Sequence, residues 1–292
     1  MSYNNFFTQE NIEIYLKELA KEYKKISGKT IPAEIVIVGG ASALINYGFR
    51  DKTYDIDAIV TASSAMKDAI NHVGDKYNLA NGWLNSEFTN TKSYSLKLLQ
   101  FSQHYKTFSN LLGIRTVSAE YLIAMKLMSG REYKNDLSDV VGILLEHKNK
   151  NLPISYELIS RAVEDLYGSW DNIPENSKIF IKETLSENNF EETLKKTIRN
   201  EVAAKALLVQ FNEKYSDVLV DGNVDAILHN LINHSQSQTP VVSASNSNLE
   251  QRTYDKVQTL SSVLKAANQK YKNQQDKPSQ PNKNIKHSDI ER

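Results

Sequence analysis

The chain has 292 residues, of which 40% are hydrophobic and 24% are charged, a composition typical of a soluble globular protein with more than one structured part. Its 35 basic residues balance its 35 acidic ones, so the net charge gives no general reason to expect a nucleic-acid partner. Cysteine is absent and the six histidines show no zinc-binding spacing, which excludes disulfides and thiolate metal sites and argues against zinc.

The amino-terminal half is predicted to alternate helices with short strands. Apolar residues recur at helical spacing over residues 8–26, with Thr8 as the expected cap and Ser27-Gly28 as the end. The elements that follow are strand 34–38, helix 41–47, strand 54–60, a helix introduced by Ser63-Ser64 and running through Tyr77, a loop at 79–92, and strands 94–101 and 111–117. These elements would form a small mixed sheet.

From Ser118 onward the pattern is helical. Predicted helices cover residues 119–131, 136–147, 156–167, 176–187, 190–214 and 223–233. The longest carries an apolar stripe that predicts packing within a helical bundle, and its members are Phe190, Leu194, Ile198, Val202 and Val209.

The composition changes abruptly after His234. Residues 235–292 are rich in polar residues, which predicts a largely disordered tail with one marginal helix at 251–272. We therefore expect an α+β fold in three parts: a small mixed-sheet core at 1–147, a helical bundle at 148–234, and the tail. Because neither a membrane-spanning apolar run nor a secretory signal is present, we expect the protein to remain in the cytoplasm.

Two aspartates lie close together in the second predicted strand. Asp55 and Asp57 alternate along it, so both side chains would project from one face, with Ile56 and Ile59 on the other. Two like charges one pleat apart cost stability unless a cation lies between them. Magnesium is the natural cation, because it takes one or two carboxylates and completes its coordination with water and phosphate. An acid pair at the surface is the alternative.

Gly39-Gly40 ends the first predicted strand and precedes a short helix. Glycines let backbone amides approach a phosphate at the amino end of a helix, and Ser42 would add a hydroxyl donor. A tight turn is the alternative for the glycine pair taken alone. Together with the acid pair in the next strand, it predicts a phosphate-binding turn beside a metal site, and hence a nucleotide ligand.

The segment that joins these two features resembles a known signature. Gly39-Gly40, 14 further residues and then Asp55-Ile56-Asp57 are similar to the motif of the DNA polymerase β-like nucleotidyltransferase superfamily. The segment resembles in particular bacterial nucleotidyltransferases related to the abortive-infection toxins of toxin–antitoxin systems. In that group an arginine and a threonine commonly precede the acid pair, as Arg50 and Thr53 do here.

The resemblance continues through residues 119–139 and covers about residues 30–147, which would make the mixed-sheet core the catalytic domain. In this stretch the family carries a lysine, an arginine and then aspartates, matching Lys126, Arg131 and Asp136. The two cations would bind the phosphates, with solvated surface positions as the alternative. Asp136 would be a third carboxylate or a catalytic base, or would simply cap its helix.

Membership would imply transfer of a nucleoside monophosphate from a nucleoside triphosphate, with pyrophosphate leaving and two magnesium ions held by Asp55 and Asp57. One feature departs from the family, because the later predicted strands lack the third acid that classical members carry. Either Asp136 replaces it or the site is catalytically weak, with Glu87 as a remote alternative.

Three functions are compatible with these residues. The resemblance implies an enzyme that modifies a macromolecule, with an RNA such as tRNA as a candidate acceptor, and that acts as a toxin with an antitoxin protein as a candidate partner. The same site would serve nucleotidylation of a small molecule such as an antibiotic, although no acidic pocket for a cationic acceptor is evident. A nucleotide-binding or partner-binding module without turnover is the third, motivated by the missing strand carboxylate.

Overall fold

The computed structural model describes residues 6–28 and 30–236, which form the predicted α+β fold. The predicted tail lies outside these residues, apart from residues 235 and 236, and so does its predicted helix at 251–272. Two compact units separate after Val202, and the first contains the sheet. None of the described helices is long and apolar enough to cross a bilayer.

A five-stranded mixed sheet forms the centre of the first unit. Its strands are β1 (Ala33–Ile37), β2 (Ile56–Thr61), β3 (Leu84–Asn85), β4 (Ser102–Phe108) and β5 (Leu112–Val117). Their spatial order is β3-β2-β1-β5-β4. The central strand β1 runs antiparallel to β2 and parallel to β5, while β4 and β5 form an antiparallel hairpin at one edge.

Nine α-helices lie within the described residues. They are α1 (Gln9–Ser27), α2 (Gly39–Asn46), α3 (Ala65–Tyr77), α4 (Ala119–Ser129), α5 (Asp136–Asn149), α6 (Tyr156–Tyr167), α7 (Glu175–Glu187), α8 (Phe190–Lys214) and α9 (Val224–Gln236). The first begins as predicted, because the Thr8 side chain accepts a hydrogen bond from the Asn11 amide. It ends at Gly28, where φ is +84°.

The sheet separates two apolar cores, and side chains alternate between them along each strand. Ile35 faces the core formed with α1 and α3, which we call the α1/α3 core. Val36, the next residue, faces the core formed with α4 to α7, which we call the α4–α7 core. Each core holds one of the two tryptophans, since Trp83 is buried in the α1/α3 core and Trp170 packs against the other.

The predicted strand at residues 94–101 is wrong. Its centre, Leu96–Leu99, forms a short 3-10 helix, which the Ser95 hydroxyl caps by accepting a hydrogen bond from the Lys97 amide at 3.4 Å. The edge strand β4 begins only at Ser102. A local side-chain cap therefore overrides the alternation of apolar residues that suggested a strand.

The apolar stripe predicted for α8 is wrong at its middle, although Leu194 packs on the α4–α7 core and Val209 is buried as expected. Phe190 is buried as expected, but Ile198 and Val202 are 44% and 45% exposed. The buried face passes instead through Glu201, which is 6% exposed. The inward face of this helix therefore presents a carboxylate where the stripe would have placed the neighbouring valine.

Candidate active site

The acid pair lies at the start of β2. Asp55 directly precedes the strand, Asp57 is its second residue, and both are half-buried. The Val38 amide donates to the Asp57 carbonyl at 2.9 Å, which holds Asp57 opposite the end of β1. Ile59 packs against the α4–α7 core whereas Ile56 is in the α1/α3 core, so the prediction that grouped these two isoleucines on one face is wrong. By the same alternation, Asp57 shares the face of Ile59.

The glycine pair lies beside Asp57. Helix α2 begins at Gly39, whose φ of +58° favours glycine, and a Cβ there would lie 3.6 Å from Asp57 Oδ2. The structure thus brings the amino end of α2 and the acid pair together. Ser42 is different, because it is fully buried and accepts a hydrogen bond from Asn46 at 3.5 Å. Its hydroxyl is not on the accessible surface of the site.

Gly40 makes room for a guanidinium group. A Cβ at this position would lie 2.7 Å from Arg50 Nη2 and 3.0 Å from Thr53 Oγ1. Any side chain here would therefore displace Arg50. Thr53 is held in turn by two backbone hydrogen bonds with Phe7, at 2.6 and 2.9 Å. The glycine, the arginine and the threonine of the sequence motif thus meet at one point, just before the acid pair.

A network of buried charges continues from Arg50. Arg50 Nη1 lies 2.5 Å from Asp139 Oδ1, and Lys126 Nζ lies 2.7 Å from Asp139 Oδ2. Lys126 Nζ also lies 3.0 Å from Asp136 Oδ1, and Arg131 Nε lies 2.7 Å from Asp136 Oδ2. Cations and carboxylates therefore alternate along a chain of ion pairs with one positive charge in excess.

Burial and the neighbouring charges shift the pKa values of Asp136 and Lys126 in opposite directions. Burial alone would raise the pKa of Asp136, but Arg131 and Lys126 outweigh it and hold that pKa well below its usual range. Burial likewise opposes ionisation of Lys126, which is 7% exposed, yet Asp139 and Asp136 raise its pKa. Asp136 and Lys126 are consequently both charged at neutral pH.

Arg131 is the most exposed cation of the network and the one whose charge interacts with Asp57. Its side chain is 33% exposed, compared with 8% for Lys126. Burial alone would lower the pKa of Arg131, but Asp136 outweighs burial and raises that pKa, and Asp57 contributes as well. Arg131 therefore links the buried network to the accessible carboxylates of the site.

Helix α5 holds the loop that carries Arg50. The Glu146 carboxylate accepts hydrogen bonds from the Gly48 and Phe49 amides, at 2.5 and 3.1 Å. The Phe49 ring packs on Gly142, where a Cβ would lie 2.6 Å from ring carbons. Together with Asp139, these contacts lie along one side of α5. The helix therefore fixes both the backbone of the loop and the guanidinium at its end.

Glu201 of α8 was not anticipated from the sequence. Its Oε1 accepts hydrogen bonds from the Leu137 and Ser138 amides, each at 3.1 Å, and so caps α5 in place of a local side chain. Burial, with smaller effects from the nearby aspartates, raises the pKa of Glu201 to about 8. The available signal was an acidic residue on the buried face of α8, which the error at the middle of the predicted stripe concealed.

No third acidic or histidine side chain joins Asp55 and Asp57 in a metal-binding group within the described residues. Asp136 is engaged by Lys126 and Arg131 instead. Glu87 lies exposed in a 3-10 helix. Strand β5 carries no acidic residue, in agreement with the sequence analysis.

Comparison with known proteins identifies the family. A family model described as "Nucleotidyltransferase of unknown function (DUF6036)" matches residues 15–174, more than half of the chain. No curated protein and no solved structure matches. The match confirms the nucleotidyltransferase resemblance but does not extend to the abortive-infection branch. The matched segment contains the glycine pair, the acid pair and the network from Arg50 to Asp139, and the chain therefore belongs to this family of nucleotidyltransferases of unknown function.

Proposed function

We propose that the chain transfers a nucleoside monophosphate from a nucleoside triphosphate to an acceptor hydroxyl, using magnesium held by Asp55 and Asp57. The observation that carries this proposal is the position of the Asp57 carboxylate, 3.6 Å from where a Cβ of Gly39 would lie at the start of α2. A metal-binding group and the positive end of a helix dipole at one place suit a triphosphate with its cation.

The donor set fits magnesium. Asp55 and Asp57 supply hard carboxylate oxygens at half-buried positions, and two protein carboxylates are as many as magnesium usually takes. Water and the triphosphate would complete the coordination, so magnesium would need no third protein carboxylate. None lies beside the acid pair in a metal-binding group within the described residues. When bound, one or two such ions would neutralise the triphosphate and stabilise the charge that develops during displacement.

The cations divide into two roles in this proposal. Arg131 is the phosphate ligand, because its side chain is partly exposed and its pKa responds to Asp57. Lys126 is almost fully buried between two carboxylates, so it holds them in place rather than contacting the nucleotide. Asp136 is correspondingly a positioning residue, since a carboxylate whose pKa is held so low by its partners is a poor base.

In the reaction the acceptor oxygen forms a bond to the α-phosphorus of the triphosphate, and the bond to the pyrophosphate oxygen breaks in line with it. The acceptor proton passes to solvent water, because carboxylates that bind a cation are poor bases. Arg131 and the amino end of α2 would stabilise the negative charge on the departing pyrophosphate.

We further propose RNA, and tRNA in particular, as the acceptor, and a toxin role with an antitoxin partner. The support is the resemblance of the segment from Gly39 to Asp57, with Arg50 and Thr53, to nucleotidyltransferases related to abortive-infection toxins. Nucleotidylation of a small molecule would use the same acid pair.

The test incubates the purified protein with each α-labelled triphosphate and total cellular RNA, with and without magnesium. We expect label in RNA only with magnesium, and we expect Asp57→Asn to abolish transfer while the fold is retained. Asp51→Asn is the matched control, because Asp51 is an exposed aspartate in the preceding loop and should leave transfer unchanged. Transfer by Asp57→Asn near the parent rate would exclude the proposed site, and the absence of label from RNA in the presence of magnesium would exclude RNA as the acceptor.

A further inference from the structure

Helix α8 contributes a side chain to the frame of the candidate site. Glu201 lies in α8, outside the matched residues 15–174, yet its carboxylate binds the first turn of α5. That turn contains Asp136 and Asp139, which hold the cations of the network. A residue beyond the family segment therefore fixes the part of the family segment on which the network depends.

Glu201 supplies the cap that the residue preceding α5 does not. Asn135 precedes α5 but makes no side-chain cap, so the amides of Leu137 and Ser138 depend on Glu201 for their hydrogen bonds. The amide of Leu137 directly follows Asp136, and the amide of Ser138 directly precedes Asp139. Loss of the cap would thus release the backbone between the two aspartates.

We propose that Glu201 is a positioning residue for nucleotide transfer: by capping α5 it fixes Asp136 and Asp139, and through them it orients Arg131 and Arg50 beside the acid pair. This inference rests on the proposed function for its catalytic consequence. The cap itself is a property of the fold and is measurable without turnover.

Two substitutions separate the parts of this proposal. Glu201→Gln keeps the oxygen that accepts both amides, and burial already favours the uncharged form of this side chain, whose pKa is raised to about 8. We expect Gln to retain the cap and most of the activity. Glu201→Ala removes the acceptor, and we expect kcat/KM for the triphosphate to fall by about 10- to 100-fold, the range typical when a residue that orients a functional side chain is lost.

Two controls distinguish positioning from a general loss of stability. Glu191→Gln changes an exposed acid on the same helix and should alter nothing. Leu19→Ala creates a cavity in α1, within the α1/α3 core, and destabilises the chain without touching the network. Assayed at a temperature where each variant is folded, Leu19→Ala should keep the parent KM for the triphosphate, whereas Glu201→Ala should raise it.

Amide hydrogen exchange of the full chain completes the test. We expect Glu201→Ala to accelerate exchange at Leu137 and Ser138, and Glu201→Gln to leave it near the parent rate. Unchanged exchange in Glu201→Ala would show that the cap does not hold α5. Faster exchange with parent-like triphosphate binding and KM would reduce Glu201 to a purely structural residue and overturn the proposal. If the parent transfers no nucleotide at all, exchange and equilibrium triphosphate binding still decide the role of Glu201, so the two proposals fail separately.

Discussion

Replacement of Lys126 by methionine probes the buried charge network directly. Lys126 is 7% exposed, and its ammonium group lies 3.0 Å from Asp136 and 2.7 Å from Asp139. Removing one partner of a buried ion pair costs about 3–5 kcal/mol, because the other charge remains buried. Each carboxylate retains an arginine here, so we expect the lower end, a loss of about 3 kcal/mol in the free energy of unfolding.

The measurement is urea unfolding at neutral pH, supported by thermal melting. For a unit of about 200 residues the expected loss corresponds to a decrease of about 6–12 °C in Tm, since 1 kcal/mol shifts Tm by about 2–4 °C. Lys195→Met is the matched control, because Lys195 is exposed on α8 and should change stability by no more than about 0.5 kcal/mol. Adding Asp136→Asn to Lys126→Met should deepen the loss, because it removes the carboxylate with which Arg131 still pairs. A decrease of less than about 1 kcal/mol for Lys126→Met would refute the pairing.

Two further predictions concern α5 and its neighbours. Gly142→Ala would place a methyl group 2.6 Å from the Phe49 ring, so we expect a lower melting temperature and slower nucleotide transfer. Gly74→Ala in α3 is the control, because the nearest contact there is 3.4 Å and the substitution should not destabilise the protein. Asp136→Asn should alter the pH dependence of stability, because the folded-state pKa of Asp136 is lowered. Its stabilisation is complete above the ordinary value of about 4 and is lost as the pH falls toward the folded-state pKa. Unfolding at pH 7 and pH 3 should therefore show a smaller difference between parent and variant at the lower pH, and an equal difference at both would contradict the assignment.

Elements with local start and stop signals could be predicted from the sequence. Helix α6 spans the predicted residues 156–167, because the Ser155 side chain accepts the Leu158 amide and Gly168 ends the helix with φ +81°. Residues 94–101 mislead because their alternation of apolar side chains is typical of a strand, whereas Leu96–Leu99 forms a 3-10 helix that the Ser95 side chain caps. In both segments the local cap and turn agree with the observed element, whereas apolar periodicity alone does not distinguish helix from strand in so short a segment.

The candidate site likewise combines one contact that could be predicted from the sequence with others that could not. Asp57 and Gly39 belong to one short motif, so their proximity follows from a strand, a turn and an antiparallel neighbour. The charge network has no such local origin. Arg50 and Asp139 are 89 residues apart, and the cap of α5 by Glu201 spans 64 residues. A single sequence contains no periodic signal for pairs at such separations, and the error in the α8 stripe removed the remaining indication.

Because the sheet separates the two cores and each contains one tryptophan, tryptophan fluorescence can report on each core separately. Trp83 is 2% exposed and donates from its indole to the Ile70 carbonyl, whereas Trp170 is half-buried, stacks on Tyr156 and donates to Ser160. Their emission should differ, with the Trp83 maximum at shorter wavelength because its indole is shielded from water. Single-tryptophan variants would follow the unfolding of the α1/α3 core and the α4–α7 core separately in one titration. Coincident transitions would show that β1 and β2 couple the two cores into one cooperative unit, and separate transitions would show that each core melts independently.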